Sequence, residues 1–371
     1  MKSYSFYTGL GTMHEMLIIY DDVFRLHDDP TGAHMESPQR LSRVIRALNT
    51  TKLYTLVNHR SPRLSPWTEE RLCEIHSCEY VARIRELSEK GGGLVDPDTY
   101  ANEYTFQAAT RYAEAVLDGA NELAEGKYRI VFVPGRPPGH HAGRYGVAMG
   151  APTLGFCIFN VSALAAVHLA RLSRPRKVLV IDFDLHHGNG TQEILYDNPD
   201  IIHLDLHQDP STIYPGTGWS WQIGEGIAKG TKINILVPPG AGDDVYIALF
   251  DKALDLVLNI YGYPEYVVVD AGFDAYRDDG LGLLNLSTIT YYHMGKTLRK
   301  LGAKYLVVFE GGYLGGLERA LPAFLAGLLG LQNPYSEDST KSSNSIWKQA
   351  LENFEETREN VEKALRDQLP P

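Results

Sequence analysis

Cysteine is scarce in this chain: Cys73, Cys78 and Cys157 are the only three in 371 residues, and none falls in a CxxC pair. That scarcity argues against a disulfide framework and against a thiolate zinc site, and it points to a reducing compartment. Positive charge is also short. Thirty-five Lys and Arg against 46 Asp and Glu leave a formal net charge of -11, with no basic footprint for nucleic acid or an anionic membrane. Long apolar runs are missing as well. Residues 1–30 are broken by His14, Glu15, Asp21, Asp22 and Arg25, so neither a signal peptide nor a membrane span is read, and a cytoplasmic location is expected.

What is present fits a large globular core, with 44% hydrophobic and 22% charged residues. Met16-Leu17-Ile18-Ile19-Tyr20 reads as a first strand. Ser37-Pro38 predicts a helix to about Asn49, capped by the serine. Gly91-Gly92-Gly93 marks a loop to about Glu103, and 105–125 is an alanine-rich helix stopped by Gly126. A regular alternation follows. Strands are expected at 129–134, 177–183, 201–206, 232–237, 266–271 and 305–310, with helices at about 159–172, 189–196, 244–261, 288–302 and 316–331. That order predicts an α/β fold, an open parallel sheet with helices on both faces. No Pro/Gly/Ser linker divides the chain before 334, so 1–334 is expected to be one domain. Residues 335–371 are expected to form a polar, mobile connector and a terminal amphipathic helix on Trp347, Leu351, Phe354, Val361 and Leu365. Whether that helix docks on its own domain or makes a homo-oligomer is left open.

The most informative stretch is Val178 to Gly190, where a buried-strand pattern runs into Asp182, Asp184, His186 and His187 before two glycines break it. On a continuing strand Asp182, Asp184 and His186 would share one face. Such a row of ionisable groups is costly to bury unless a cation pairs with it, so a divalent metal site is expected at the end of a central strand. Ligands of open parallel sheets bind at the carboxyl ends of strands. Here those ends carry His140-His141, Asp205-Leu206-His207, Asp270 to Asp274, and Glu310-Gly311-Gly312-Tyr313. His203 and His293, each standing alone, are read as ordinary core or surface histidines.

Four segments, Arg136 to Ala142, Asp182 to Gln192, Asp270 to Asp274 and Glu310 to Tyr313, together resemble the zinc-dependent histone deacetylase family, which includes acetylpolyamine amidohydrolases. The resemblance spans about residues 15–331 and implies the arginase/deacetylase fold. It assigns one zinc to Asp184, His186 and Asp274, a set that leaves coordination positions open as a catalytic site requires. It pairs His140 with Asp182 and His141 with Asn189. An amide cannot neutralise imidazolium, so His141 is expected to stay neutral and serve as general base, with His140 in electrostatic support and Tyr313 on the oxyanion. His187 is expected to be structural. The acyl channel is implied at Phe156, Gly155, Tyr214 and Leu281, and Arg40 at an interior product cavity. A structural K+ is implied at Asp182, Asp184, His186, Asp205 and Leu206, with Asp205 departing from the usual serine. The implied reaction is hydrolysis of acetyl-lysine, acetylpolyamine or another acyl amide. Two competing readings, a dimanganese ureohydrolase and a non-catalytic reader of acetylated ligands, fit the Tyr313 and tandem-histidine pattern less well.

Overall fold

The computed structural model describes residues 14–173 and 177–368. The expected domain also includes residues 1–13, which lie outside them. The first part of the chain runs β1 (His14–Ile19), α1 (Gln39–Thr50), α2 (Leu53–Leu56), β2 (Asn58–Arg60), α3 (Thr68–Leu72) and α4 (Cys78–Glu89). A hairpin of β3 (Gly92–Asp96) and β4 (Thr99–Asn102) precedes α5 (Thr105–Ala124) and β5 (Tyr128–Val133). A short ribbon of β6 (Ala142–Gly143) and β7 (Gly146–Val147) leads to α6 (Val161–Leu172), β8 (Val178–Asp182) and α7 (Asn189–Leu195). Then come β9 (Ile201–Gln208), β10 (Lys232–Val237), α8 (Asp243–Tyr261) and β11 (Tyr266–Ala271). The chain continues through α9 (Thr288–Arg299), β12 (Lys304–Phe309), α10 (Leu321–Leu329) and α11 (Asn344–Asp367).

Eight strands form one sheet in the order β10-β9-β8-β11-β12-β5-β1-β2, every pair parallel. From β8 the chain steps outward to β9 and β10, then returns to β11 on the other side of β8. The order therefore reverses between β8 and β11, and a crevice opens above their carboxyl ends. Both strands are buried along their whole length, as Val178-Leu179-Val180-Ile181 and Val267-Val268-Val269 require. Elsewhere, helices pack closely on β5 and on one another because glycine replaces bulk at the contacts. A Cβ on Gly119 of α5 would sit 2.9 Å from Val131, and one on Gly295 of α9 would sit 2.8 Å from the Leu328 nitrogen of α10.

Several local expectations change. Residues 91–103 form a hairpin rather than a loop. Helix α1 starts at Gln39 with no side-chain cap; the Ser37 carbonyl accepts the Arg40 N–H instead, at 3.1 Å. The helix expected over 316–331 opens with one wide π turn, Gly316–Ala320, before α10, where Pro322 has no N–H to offer a regular first turn. Cys73 and Cys78 pair across the turn between α3 and α4, with Cα atoms 4.9 Å apart; this single bridge closes only five residues and is no framework. Cys157 is free and buried.

The connector after 335 is strapped to the domain rather than free. The Glu337 carboxylate accepts from the Tyr276 hydroxyl at 3.0 Å and the Thr288 N–H at 3.1 Å, while Thr340 and Ser342 bond to Asp243 and Asp244. Helix α11 then lies along β10, burying Ala350, Phe354 and Val361. Asn353 and Thr357 donate to the Leu236 and Asn234 carbonyls at 3.0 and 2.7 Å, so side chains take up acceptors on the sheet edge. No helix among the described residues is long and apolar enough to cross a membrane. Phe354→Ala should therefore lower the free energy of unfolding by about 3 kcal/mol, read by urea titration, with turnover per folded molecule unchanged. A loss under about 0.5 kcal/mol would show that the tail contributes no packing.

Candidate active site

Strand β8 stops at Asp182, so Asp184 and His186 do not share a strand face as the alternation predicted. The reason is local. The Asp184 N–H turns back to the Asp182 carboxylate at 2.9 Å, the Leu185 N–H goes to Asp274 at 3.0 Å, and the His186 N–H to Asp184 at 3.0 Å. Carboxylates thus take the donors that a neighbouring strand would have taken, and the chain curls across the crevice. The curl still brings Asp184, His186 and Asp274 together, with their ligand atoms within 4.8 Å of one another. His186 Nδ1 lies 3.2 Å from an oxygen of each carboxylate.

Two observations fit a cation at this point. Asp274 Oδ2 is buried with no well-aligned hydrogen bond, its recorded polar contact being His186 Nδ1 at 3.2 Å, a costly arrangement for a carboxylate oxygen unless an ion completes it. The floor is also glycine. A Cβ on Gly311 would lie 2.6 Å from Asp274 Oδ2, and one on Gly272 would run into the Asp184 carboxylate.

The tandem histidines arrive from the loop after β5. His140 Nδ1 meets Asp182 Oδ2 at 2.9 Å. Burial alone would lower the His140 pKa, but the Asp184 and Asp182 carboxylates outweigh it and hold it well above the usual value, which favours the charged ring. His141 behaves oppositely. Burial, with the charges of His140 and His186 close by, holds it well below the usual value. Asn189 fixes its tautomer. The Asn189 amide nitrogen donates to the Ala148 carbonyl at 2.9 Å, so its oxygen accepts from His141 Nδ1 at 2.7 Å and leaves Nε2 with a free lone pair.

Above these groups is a cavity of about 230 Å³ whose lining includes Gly155, Phe156, Tyr214, Leu281 and Tyr313. The Tyr214 hydroxyl is turned out of the way, donating to the Thr153 carbonyl at 2.8 Å. Phe156 holds φ +73°, a left-handed conformation that a bulky residue keeps only when its surroundings demand it. Those surroundings are the β3–β4 hairpin, which sequence reasoning missed. Asp96 accepts the Leu154 N–H at 2.6 Å, Asp98 accepts the Thr153 hydroxyl at 2.5 Å, and Thr99 Oγ1 accepts the Phe156 N–H at 3.1 Å.

Below the site, Arg40 is fully buried rather than on a helix surface. Its guanidinium lies 4.6 Å from the Tyr313 ring centroid and donates to the Gly312 carbonyl at 2.7 Å. Glu36, also unread in the sequence, is held between Arg136 and Arg40. Burial would raise its pKa, but the Arg136 charge prevails and keeps it well below the carboxylate range. Arg40 is an ordinary i,i+4 neighbour, and Arg136, 100 residues from Glu36, leaves no local signal. The remaining candidates fall outside the cavity. His187 turns to Thr217 and Gln192, and His293 pairs with Asp251 at 2.8 Å. Strand β9 runs on to Gln208, so Asp205 and Leu206 lie within it, Asp205 opposite Asp182. Asp205 accepts from the Gly188 N–H at 2.9 Å and meets His207 at 2.6 Å.

Residues 34–328 match the family model described as the histone deacetylase domain. The chain is 33% identical over 343 residues to a probable deacetylase of Methanothermobacter thermautotrophicus, covering 91% of this chain and 98% of that one. It is 34% identical over 339 residues to histone deacetylase 15 of Arabidopsis thaliana, covering 88% of this chain and 59% of that longer protein. Among solved structures, the crystal structure of the HDA15 HD domain aligns with a TM-score of 0.82 at 30% identity, covering 96% of this chain and 99% of that one.

The glycine floor gives a direct check on the metal group. Gly311→Ala should fold but bind a divalent ion about 10- to 100-fold more weakly, measured by competition with a chelating dye. Unchanged affinity would mean that the space beneath the carboxylates is not needed.

Proposed function

The chain belongs to the histone deacetylase domain family, and from that membership we propose that it is a zinc-dependent amidohydrolase removing acetyl groups from acylated amines. The observation that supports this most is the union, on one cavity floor, of a two-carboxylate, one-imidazole group with two histidines whose Nδ1 atoms meet a carboxylate in one case and an amide in the other. Asp184, His186 and Asp274 would hold the ion, and the buried Asp274 oxygen, which faces His186 without a well-aligned hydrogen bond, is the feature that fits it. When bound, zinc supplies Lewis acidity toward the amide carbonyl and a lowered pKa for water.

The protein's own groups do the rest. Neutral His141 accepts a proton from the attacking water at Nε2, and the same nitrogen returns it to the leaving amine. Charged His140, anchored on Asp182, favours the negative charge that develops at the carbonyl oxygen. The Tyr313 hydroxyl donates to that oxyanion. Phe156 and Tyr214 give the cavity two aromatic walls, suited to the aliphatic stem of acetyl-lysine or an acetylpolyamine, with Leu281 beside them. A structural potassium belongs to the same proposal. Asp182 and Asp205 face each other from β8 and β9, and burial with the Asp205 charge pushes the Asp182 carboxyl upward, a pairing that a buried monovalent cation would relieve. Main-chain carbonyls of Asp184, His186 and Leu206 would complete its oxygens.

Two substitutions test the assigned roles on a fluorogenic acetyl-lysine amide. Tyr313→Phe should keep full metal content and lose on the order of 10²–10³ in kcat; unchanged turnover removes the hydroxyl from the mechanism. Asn189→Asp puts a carboxylate on His141 and favours its charged form. Its acid limb in kcat/KM should therefore move to higher pH, by about 1–3 units. A limb that stays in place would show that His141 is not the titrating base.

A further inference from the structure

Tyr313 is carried by a segment with little stiffness of its own. Four of the six residues from Gly311 to Gly316 are glycine, and Gly312 sits at φ +112°. Such a loop is entropically costly to fix. It is nevertheless clamped at both ends. At its start, the Gly311 N–H donates to Asp184 Oδ2 at 2.9 Å and its carbonyl accepts the Phe273 N–H at 3.0 Å. At its end, one side chain gathers three amides: Asp279 Oδ2 accepts the Tyr313 N–H at 2.7 Å, and Oδ1 accepts those of Leu314 at 2.7 Å and Gly316 at 3.0 Å.

Of these, the Gly316 N–H opens the π turn, where the local cap position is Gly315 and supplies no side chain, and those of Tyr313 and Leu314 lie just before it. Asp279, 3% exposed, serves as that cap from a distant part of the chain and places a negative charge on the helix entrance. Its place in the sequence adds a second consequence. Asp274 belongs to the metal group, and Asp279 follows it by five residues through a tight turn, with its N–H bonded to the Tyr276 carbonyl at 2.9 Å. One short piece of backbone therefore carries both a residue of that group and the anchor of the tyrosine. Glycine lets the two pieces seat: a Cβ on Gly315 would press on the Tyr276 ring at 2.9 Å.

We infer that Asp279 is a positioning residue: it fixes the height of the Tyr313 hydroxyl over the Asp184–His186–Asp274 group without touching substrate. The inference rests on the role given to Tyr313 above. Asp279→Asn suits the test, because the amide keeps the volume and one acceptor oxygen. In the full chain loaded with zinc, it should lower kcat about 10- to 100-fold with KM within about twofold, since a small misplacement of a catalytic group costs rate rather than binding. Placed on Tyr313→Phe, the same change should cost no more than about a further twofold, because its effect runs through the hydroxyl already removed. Amide hydrogen exchange of 311–316 should speed up in Asp279→Asn while the metal content stays at the wild-type value. An unchanged kcat, a loss that adds in full to that of Tyr313→Phe, or unaltered exchange in the loop overturns the inference while leaving the deacetylase reading standing. A zinc-loaded wild type that hydrolyses no acylated amine overturns both.

Discussion

The constraint on which this structure turns is the concentration of buried carboxylates at the carboxyl ends of the central strands. Asp182, Asp184, Asp205, Asp270, Asp274 and Glu310 are all nearly or fully excluded from solvent. Uncompensated, such a set would not stay charged or stay folded. The compensation comes from neighbouring histidines, His140 and His186 beside Asp184 and His207 beside Asp205, and from main-chain donors. Asp184 takes amides from His186 and Gly311, Asp274 from Leu185, Asp205 from Gly188, and Glu310 from Gly139 at 2.8 Å. Loop backbone is thus wrapped around side chains, where in most of the molecule side chains pack around backbone. The glycines at 188, 272 and 311 follow from this, because a Cβ at each would press on one of these acids.

That arrangement also explains how two adjacent histidines come to differ. His140 and His141 stand with ring centroids 3.9 Å apart and are equally buried. What separates them is the Asp184 and Asp182 carboxylates beside His140, with Asp182 on its Nδ1, where His141 has only the Asn189 amide. The charge of the first then depresses the second. The amide at position 189 brings no negative charge to offset this, and it is visible in the sequence only as Asn.

The sheet and the residues that meet in its crevice were legible because both rest on short-range pattern. Val178 to Ile181 and Tyr266 to Val269 are apolar without interruption, and their ends carry Asp and His where the parallel-sheet rule places ligands. What escaped depends on contacts far apart in the chain. The β3–β4 hairpin hides behind three glycines, and its value lies in holding 153–156, more than fifty residues on. Asp279 looks like any turn acid beside Asp278 and Gly280 until three amides from 313–316 are seen to converge on it. The early end of β8 was hidden for a related reason: strand periodicity assumes that the amides seek another strand, and here they seek carboxylates.

The docking of α11 along β10 bears on assembly. One edge of the sheet is occupied by a helix of the same chain, with its Asn353 and Thr357 side chains on edge carbonyls. The other edge is β2, only three residues long. Neither offers the run of open main-chain groups that recruiting an added strand requires. Among the described residues, growth of the sheet across copies is therefore opposed at one edge by a helix and at the other by the shortness of the strand.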